Sequence, residues 1–454
     1  MQYKKDGKMQ PKKYITELIR LAVPTVIGNI FTFLIGFCDH IMTSSLGRAA
    51  IGGIFLSNQI AILLQFIITG IEATVTVLGA REDAEGEATN LQKTVVMALC
   101  FAGGIAFLTT IVCTLWPKWV LSLLSANNEI VDTGAPFLSI LALSFLPFAL
   151  SRIIMTVLRA LKKPKPSLYL PALTFLINIS LNFLLIGNNG SFISLGARGA
   201  AIATLISRLA EVSVAIFLLI RSKAARPVPR ELFHIPRDNI RLFLRTSFPI
   251  LIGQAAWAAN NLLTTALLSR VAFGSAVAAF GAASAVHNLA YTLMNGTSSS
   301  IGVLTSRSVG EGRLCISECR TAEAALSVSG ILGSLAILLL SAPIFSLYRL
   351  GSADLSLAMA LSRIFVFSFP LTTYSAGSLF GIIKSSGDVG FVSRVDTLLF
   401  LLLTLPVGLL AYYGGATPVI LLAVLKLVDL AKCGVAFLYI ERRWMRPIDK
   451  ARLL

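Results

Sequence analysis

The chain is short of charge, of histidine and of any metal- or nucleophile-type spacing. Only 13% of its 454 residues are Asp, Glu, Lys or Arg, about half the share in ordinary soluble domains. With 56% hydrophobic residues and a mean hydropathy of +0.80, it has too little polar side chain to cover several soluble cores. Its three histidines, His40, His234 and His287, are scattered. No Ser/His/Asp or metal-ligand constellation emerges, which disfavours an enzyme. The six cysteines, Cys38, Cys100, Cys113, Cys315, Cys319 and Cys433, lack metal or redox spacing. No resident cofactor is expected. The net charge of +17 comes without aromatic-interleaved basic runs, so no nucleic-acid partner is expected either.

What is present is a series of apolar runs, each of about 20 residues or more and long enough to cross a bilayer. They are continuous or 3.6-periodic, not alternating in ten-residue segments, which implies helices and not a barrel. The pattern predicts an all-α polytopic membrane protein of twelve transmembrane helices. Six lie near 16–44, 50–79, 94–116, 130–158, 167–187 and 197–221, and six near 246–270, 276–306, 321–345, 353–383, 391–412 and 417–440. The organisation expected is a tail (1–13), an N-lobe (14–221), a linker (222–245), a C-lobe (246–441) and a second tail (442–454). The linker holds Pro227, Pro229 and Pro236, signals of a solvated connection.

The two halves repeat each other. Pro24 and Gly28 are echoed by Pro249 and Gly253, at an offset of 225 residues. Val77-Leu78, Arg81 and Glu85-Gly86 return as Val303-Leu304, Arg307 and Glu311-Gly312, at 226. Val157-Leu158-Arg159 is answered by Ile382-Ile383-Lys384, again at 225. Duplicated membrane halves suit alternating access, in which two bundles rock about a site between them. With the N-terminus inside, the inner segments carry 28 Lys and Arg and the outer turns five. Both termini and the linker are therefore expected on the cytoplasmic side. Six is even, so the repeats are parallel, related by an axis along the membrane normal.

A charge in the bilayer centre costs about 2.5–3.5 kcal/mol or more and so needs a reason. Asp39 is the sharpest case, near the outer end of the first segment. Asn178 and Asn182, four apart on one face of the fifth helix, and Thr204 in the sixth reach a similar depth. One carboxylate, two amide oxygens and a hydroxyl form an all-oxygen set suited to a hard cation such as Na⁺. A buried Asp equally takes up and releases a proton, and the amides equally serve as glue between helices. His40 either shares a proton network with Asp39 or faces a neighbouring helix. Glu72, close to Thr69, Thr74 and Thr76, is either functional or a helix–helix hydrogen bond. Arg208 and Glu211, three apart, read as an ion pair on one helix face, as do Lys426, Asp429 and Lys432 at the same spacing; the alternative is a charged cavity lining. Arg152 and Arg363 are further lining candidates. Pro24 and Pro249 break equivalent helices at equivalent points, either as hinges or as static kinks.

At these residues the chain resembles the multidrug and toxic compound extrusion (MATE) family, over about residues 14–445. The resemblance rests on Pro24 with Asp39 and Leu46-Gly47, and on Val77-Leu78-Gly79-Ala80-Arg81 and its copy Val303-Leu304-Thr305-Ser306-Arg307. It rests also on Leu158-Arg159-Ala160-Leu161, Ile383-Lys384-Ser385-Ser386-Gly387-Asp388 and Gly199-Ala200-Ala201-Ile202-Ala203-Thr204. It implies a V-shaped, two-lobe transporter that exports organic cations and other toxic compounds in exchange for Na⁺ or H⁺. Asp39, Asn178, Asn182 and Thr204 then resemble the cation-coupling cluster of the N-terminal lobe. Asn182 stands where many relatives have Asp, which weakens Na⁺ binding and leaves a proton at least as fitting. Small-molecule substrates, a lipid bilayer, a bacterial cytoplasmic membrane and a monomer are the expected setting. The competing reading is a flippase for lipid-linked or anionic substrates, with Arg152, Arg208 and Arg363 lining a basic cavity.

Overall fold

A computed structural model describes residues 11–43, 48–124, 128–186, 195–222, 235–271, 275–312, 314–347 and 351–445, and every regular element among them is helical. The first half contains α1 (Pro11–Thr43), α2 (Arg48–Glu85), α3 (Ala88–Leu115), the short α4 (Pro117–Ser122), α5 (Asn128–Ala142), α6 (Phe145–Ala160), α7 (Pro166–Leu185) and α8 (Gly196–Arg221). The second contains α9 (Arg237–Val271), α10 (Ser275–Gly310), α11 (Ile316–Leu347), α12 (Ser352–Ala376), α13 (Val389–Leu399), α14 (Leu405–Tyr413), α15 (Pro418–Lys426) and α16 (Val428–Met445). Among the described residues eight helices are long and apolar enough to cross a membrane, and the pair α5–α6, bent by 45°, makes a ninth when counted as one span. The segments expected at 246–270, 276–306 and 417–440 are helical as well.

Several segments are less regular than their apolar pattern suggests. The helix after α12 widens to a π-helix over Gly377–Ile383 and tightens over Lys384–Ser386. A second π segment, Phe400–Thr404, joins α13 to α14. It lies just ahead of Pro406, which has no N–H for the regular ladder. Pro24 and Pro249, by contrast, do not break their helices: α1 and α9 run through both. In α1 the Thr25 hydroxyl donates to the Leu21 carbonyl at 2.8 Å, next to the Arg20 carbonyl that Pro24 leaves without its usual donor. Helix α9 begins at Arg237, inside the stretch expected to be linker. Residues 237–247 are amphipathic: Phe243 and Ser247 are buried while Arg237, Arg241 and Arg245 are exposed.

The chain forms two compact units, one of Ile27–Ser247 and one of Met1–Val26 with Phe248–Leu454. The unit boundaries therefore fall next to Pro24 and Pro249. In the first unit, Ile54, Ile68, Val95, Leu138, Ile153 and Leu170 belong to one continuous apolar core. Helices α2 and α5 cross at Gly53 and Gly134, where a Cβ on Gly53 would lie 2.5 Å from the Gly134 Cα. Small residues at such crossings let membrane helices pack backbone to backbone. In the second unit, Leu267, Val286, Phe345, Phe365, Phe369 and Leu421 share a separate core. Its helix α11 exposes Val328, Ile331, Leu332, Leu335, Leu338 and Leu339, an apolar face of the kind lipid tails require.

Candidate functional site

The polar cluster of the first unit is built by the hairpin of α7 and α8. The Leu195 amide donates to the Leu185 carbonyl at 2.9 Å and closes the turn. Gly199 then lets α8 approach α7, since a Cβ there would lie 2.7 Å from the Leu185 carbonyl carbon. This pairing sets Asn178 and Asn182 opposite Thr204, and α1 brings in Asp39. Asn182 Nδ2 donates to Asp39 Oδ1 at 2.5 Å and to Asn178 Oδ1 at 3.2 Å. Asn178 Nδ2 donates to Thr204 Oγ1 at 3.3 Å. Both asparagines are fully buried and Asp39 is half-buried. The four residues named from sequence thus form one hydrogen-bonded chain.

The orientation of Asn182 decides what this cluster accommodates as it stands. Its N–H end faces the carboxylate, and its buried Oδ1 has no hydrogen-bond partner among the described residues. A carboxylate held by an amide donor exchanges a proton without rearrangement. An all-oxygen cation shell would require the Asn182 amide to turn its oxygen toward Asp39. The donor set fits Na⁺ in that second arrangement only.

Two buried ion pairs lie near this chain. Arg208 Nη1 meets Glu211 Oε2 at 2.6 Å on α8, as their spacing suggests, and the guanidinium lies 5.0 Å from the centre of the Phe148 ring. Arg208 is also within electrostatic range of Asp39. Glu72 receives two bonds from Arg152, at 2.6 and 3.0 Å, and so ties α2 to α6. Of its two readings, the helix–helix bond is the geometry observed. Each of these two guanidiniums is therefore held by a glutamate. The side chain of His40 and the motif residues Leu46 and Gly47 lie outside the described residues, as does His234.

In the second unit the expected pairing along one helix is corrected. Leu427 interrupts the segment between α15 and α16, so Lys426, Asp429 and Lys432 do not share one regular helix face. Lys432 instead bonds Asp396 of α13 at 2.7 Å, and Asp429 accepts from the Thr372 hydroxyl at 2.5 Å. The Lys426 ammonium sits 5.6 Å from the Phe365 ring centre. Sequence reasoning missed Asp396, although a carboxylate inside an apolar segment was the available signal. It also missed a polar line along α10: Ser284, Asn288, Asn295 and Ser299 recur at four or seven residues, and both asparagines are exposed. Arg363 is exposed on α12.

The comparisons agree with this architecture. A family model described as MatE matches residues 24–184. The probable multidrug resistance protein NorM of Halalkalibacterium halodurans is 21% identical over 98% of this chain and 99% of its own length. That of Photorhabdus laumondii is 24% identical over 87% of each. That of Thermotoga maritima is 24% identical over 65% of this chain and 63% of its own length, just under two thirds. Among solved structures, an outward-facing multidrug resistance MATE family transporter of the MOP superfamily superimposes with a TM-score of 0.84 at 17% identity, covering 98% of this chain and 99% of that one. A MATE in complex with MaL6 does so at 0.86 and 16% identity, with the same coverage. In sequence the chain is thus similar to the multidrug and toxic compound extrusion (MATE) family, and over nearly its whole length it has the fold of that family's multi-pass membrane transporters.

Proposed function

We propose that this chain is a secondary active efflux transporter that exchanges amphipathic small molecules, organic cations foremost, for a proton at Asp39 by alternating access. The observation that carries the reading is the hydrogen-bonded chain Asp39–Asn182–Asn178–Thr204, built around a single carboxylate on a membrane helix. An ionisable group placed there at energetic cost is functional by default. The amide donor facing it favours H⁺ over Na⁺ as the coupling ion. Protonation then shifts the balance of states only through its differential affinity for them. Both termini and the 222–245 stretch lie on the cytoplasmic side of a bacterial cytoplasmic membrane, and the chain works as a monomer. The flippase reading loses support because Arg152 and Arg208 are neutralised by Glu72 and Glu211 and do not offer a basic cavity.

The test is export of a fluorescent cationic dye from proteoliposomes, with proton and Na⁺ gradients imposed separately and Asp39→Asn beside wild type. Proton-driven transport lost in the variant is the expected result. Transport indifferent to the substitution removes Asp39 from the mechanism. Folded protein that moves no dye under either gradient returns the weight to the flippase.

A further inference from the structure

The start of α9 presents three arginines in a row. Arg237, Arg241 and Arg245 are spaced by four and exposed, so they lie along one helix face over roughly 12 Å of axis. Together with Ile240 and Leu244 they line a cleft of about 500 Å³. None of the three makes a hydrogen bond or ion pair among the described residues. The opposite face is fixed. Phe243 is 1% exposed with its ring centre 5.5 Å from that of Phe101, and Asn239 donates to Asn90 at 3.4 Å. The helix is thus held in place while its arginine face takes no part in that packing. Past Arg245 the helix exposes Phe248 and Ile252 and continues into its apolar stretch.

We propose that Arg237, Arg241 and Arg245 bind the headgroup of an anionic phospholipid in the leaflet that receives the start of α9. Guanidinium groups bind phosphate oxygens in pairs of parallel hydrogen bonds. Among the described residues no carboxylate lines the cleft, so they offer nothing to the ammonium of a zwitterionic headgroup. The apolar members of the cleft, Ile240 and Leu244, and the exposed Phe248 beyond it suit an acyl chain and not a soluble anion. A basic cluster joined directly to a membrane helix is the arrangement by which proteins select anionic lipid. This site is independent of the coupling chemistry at Asp39 and stands or falls separately from it.

The experiment is lipid retention on the purified full-length protein, read by native mass spectrometry after titration with phosphatidylglycerol or phosphatidylcholine. Wild type retains phosphatidylglycerol preferentially. Each Arg→Gln substitution at 237, 241 or 245 lowers that retention roughly fivefold, and the triple variant loses the preference. The triple Arg→Lys variant, with the charge but not the paired donors, falls between. Arg394→Gln, at an exposed arginine of α13, leaves retention unchanged. If the triple variant fails to fold, as judged by its Tm, the single Arg241→Gln variant carries the test. The proposal is overturned if folded variants keep wild-type retention, or if wild type holds both lipids equally.

Discussion

Asn182 donates to Asp39 across 2.5 Å and joins α7 to α1. An aspartate at position 182 would put two carboxylates at that separation, where they share a proton or bind a cation between them. Asn182→Asp is therefore expected to make dye export respond to a Na⁺ gradient, while wild type responds to the proton gradient alone. Paired flux assays in the same liposomes check this. A wild type driven equally well by Na⁺ would show that the Asn182 amide turns readily and that its observed orientation does not select the ion.

The Glu72–Arg152 pair makes a different prediction, about stability. Both partners are largely buried and the contact is bidentate. Removing one partner of such a pair leaves the other charge uncompensated, at a cost of about 3–5 kcal/mol. Glu72→Gln is expected to lower the Tm in detergent substantially. Replacing both residues by Leu or Met is expected to recover much of the loss, since the pair's own net contribution is small. A double variant no more stable than Glu72→Gln would mean that the bonds themselves, and not the stranded charge, hold α2 to α6.

What the sequence made legible follows from which quantities it encodes. Helical spans are carried by hydropathy and spacing, and they survive in the fold. Asn178 and Asn182 share a face because four residues make nearly one turn, so their convergence was readable. The partner of Lys432 was not. Whether it bonds Asp429 on its own helix or Asp396 on another depends on how neighbouring helices are rotated, and spacing does not report that. The helical start of α9 was hidden by the prolines and charges just before it, whose composition is that of a loop. Asn288 and Asn295 were readable, seven residues apart in an apolar helix, yet their significance depends on exposure.

The Gly53–Gly134 crossing is a packing constraint with a built-in control. A side chain on either glycine meets the other's backbone, whereas one on Gly104 meets nothing within 4 Å. Gly134→Val is expected to cost about 1–3 kcal/mol through overpacking. Gly104→Ala is expected to be neutral or slightly stabilising, because alanine is the better helix former. Thermal melts of both variants in one detergent make the comparison. Equal Tm values would mean that α2 and α5 part at no cost.

Asn288 and Asn295 are exposed within the long helix α10, and their surroundings can be decided by chemistry. An amide facing lipid tails would lose its hydrogen bonds to water with nothing in return, a cost of several kcal/mol on hydrocarbon scales. Two such amides a heptad apart are therefore expected to face water, and Leu335 with its exposed neighbours on α11 to face lipid. The measurement is thiol labelling of Asn288→Cys, Asn295→Cys and Leu335→Cys with a hydrophilic reagent, in a background where the exposed Cys100 is replaced by Ser. Reaction proceeds through the thiolate, which forms in water and not in hydrocarbon. Both asparagine positions are expected to label at least about tenfold faster than Leu335→Cys. Slowing by a transported dye would further place them on its path. Equal rates at all three positions would mean that α10 turns its amides to the lipid, and their exposure would carry no function.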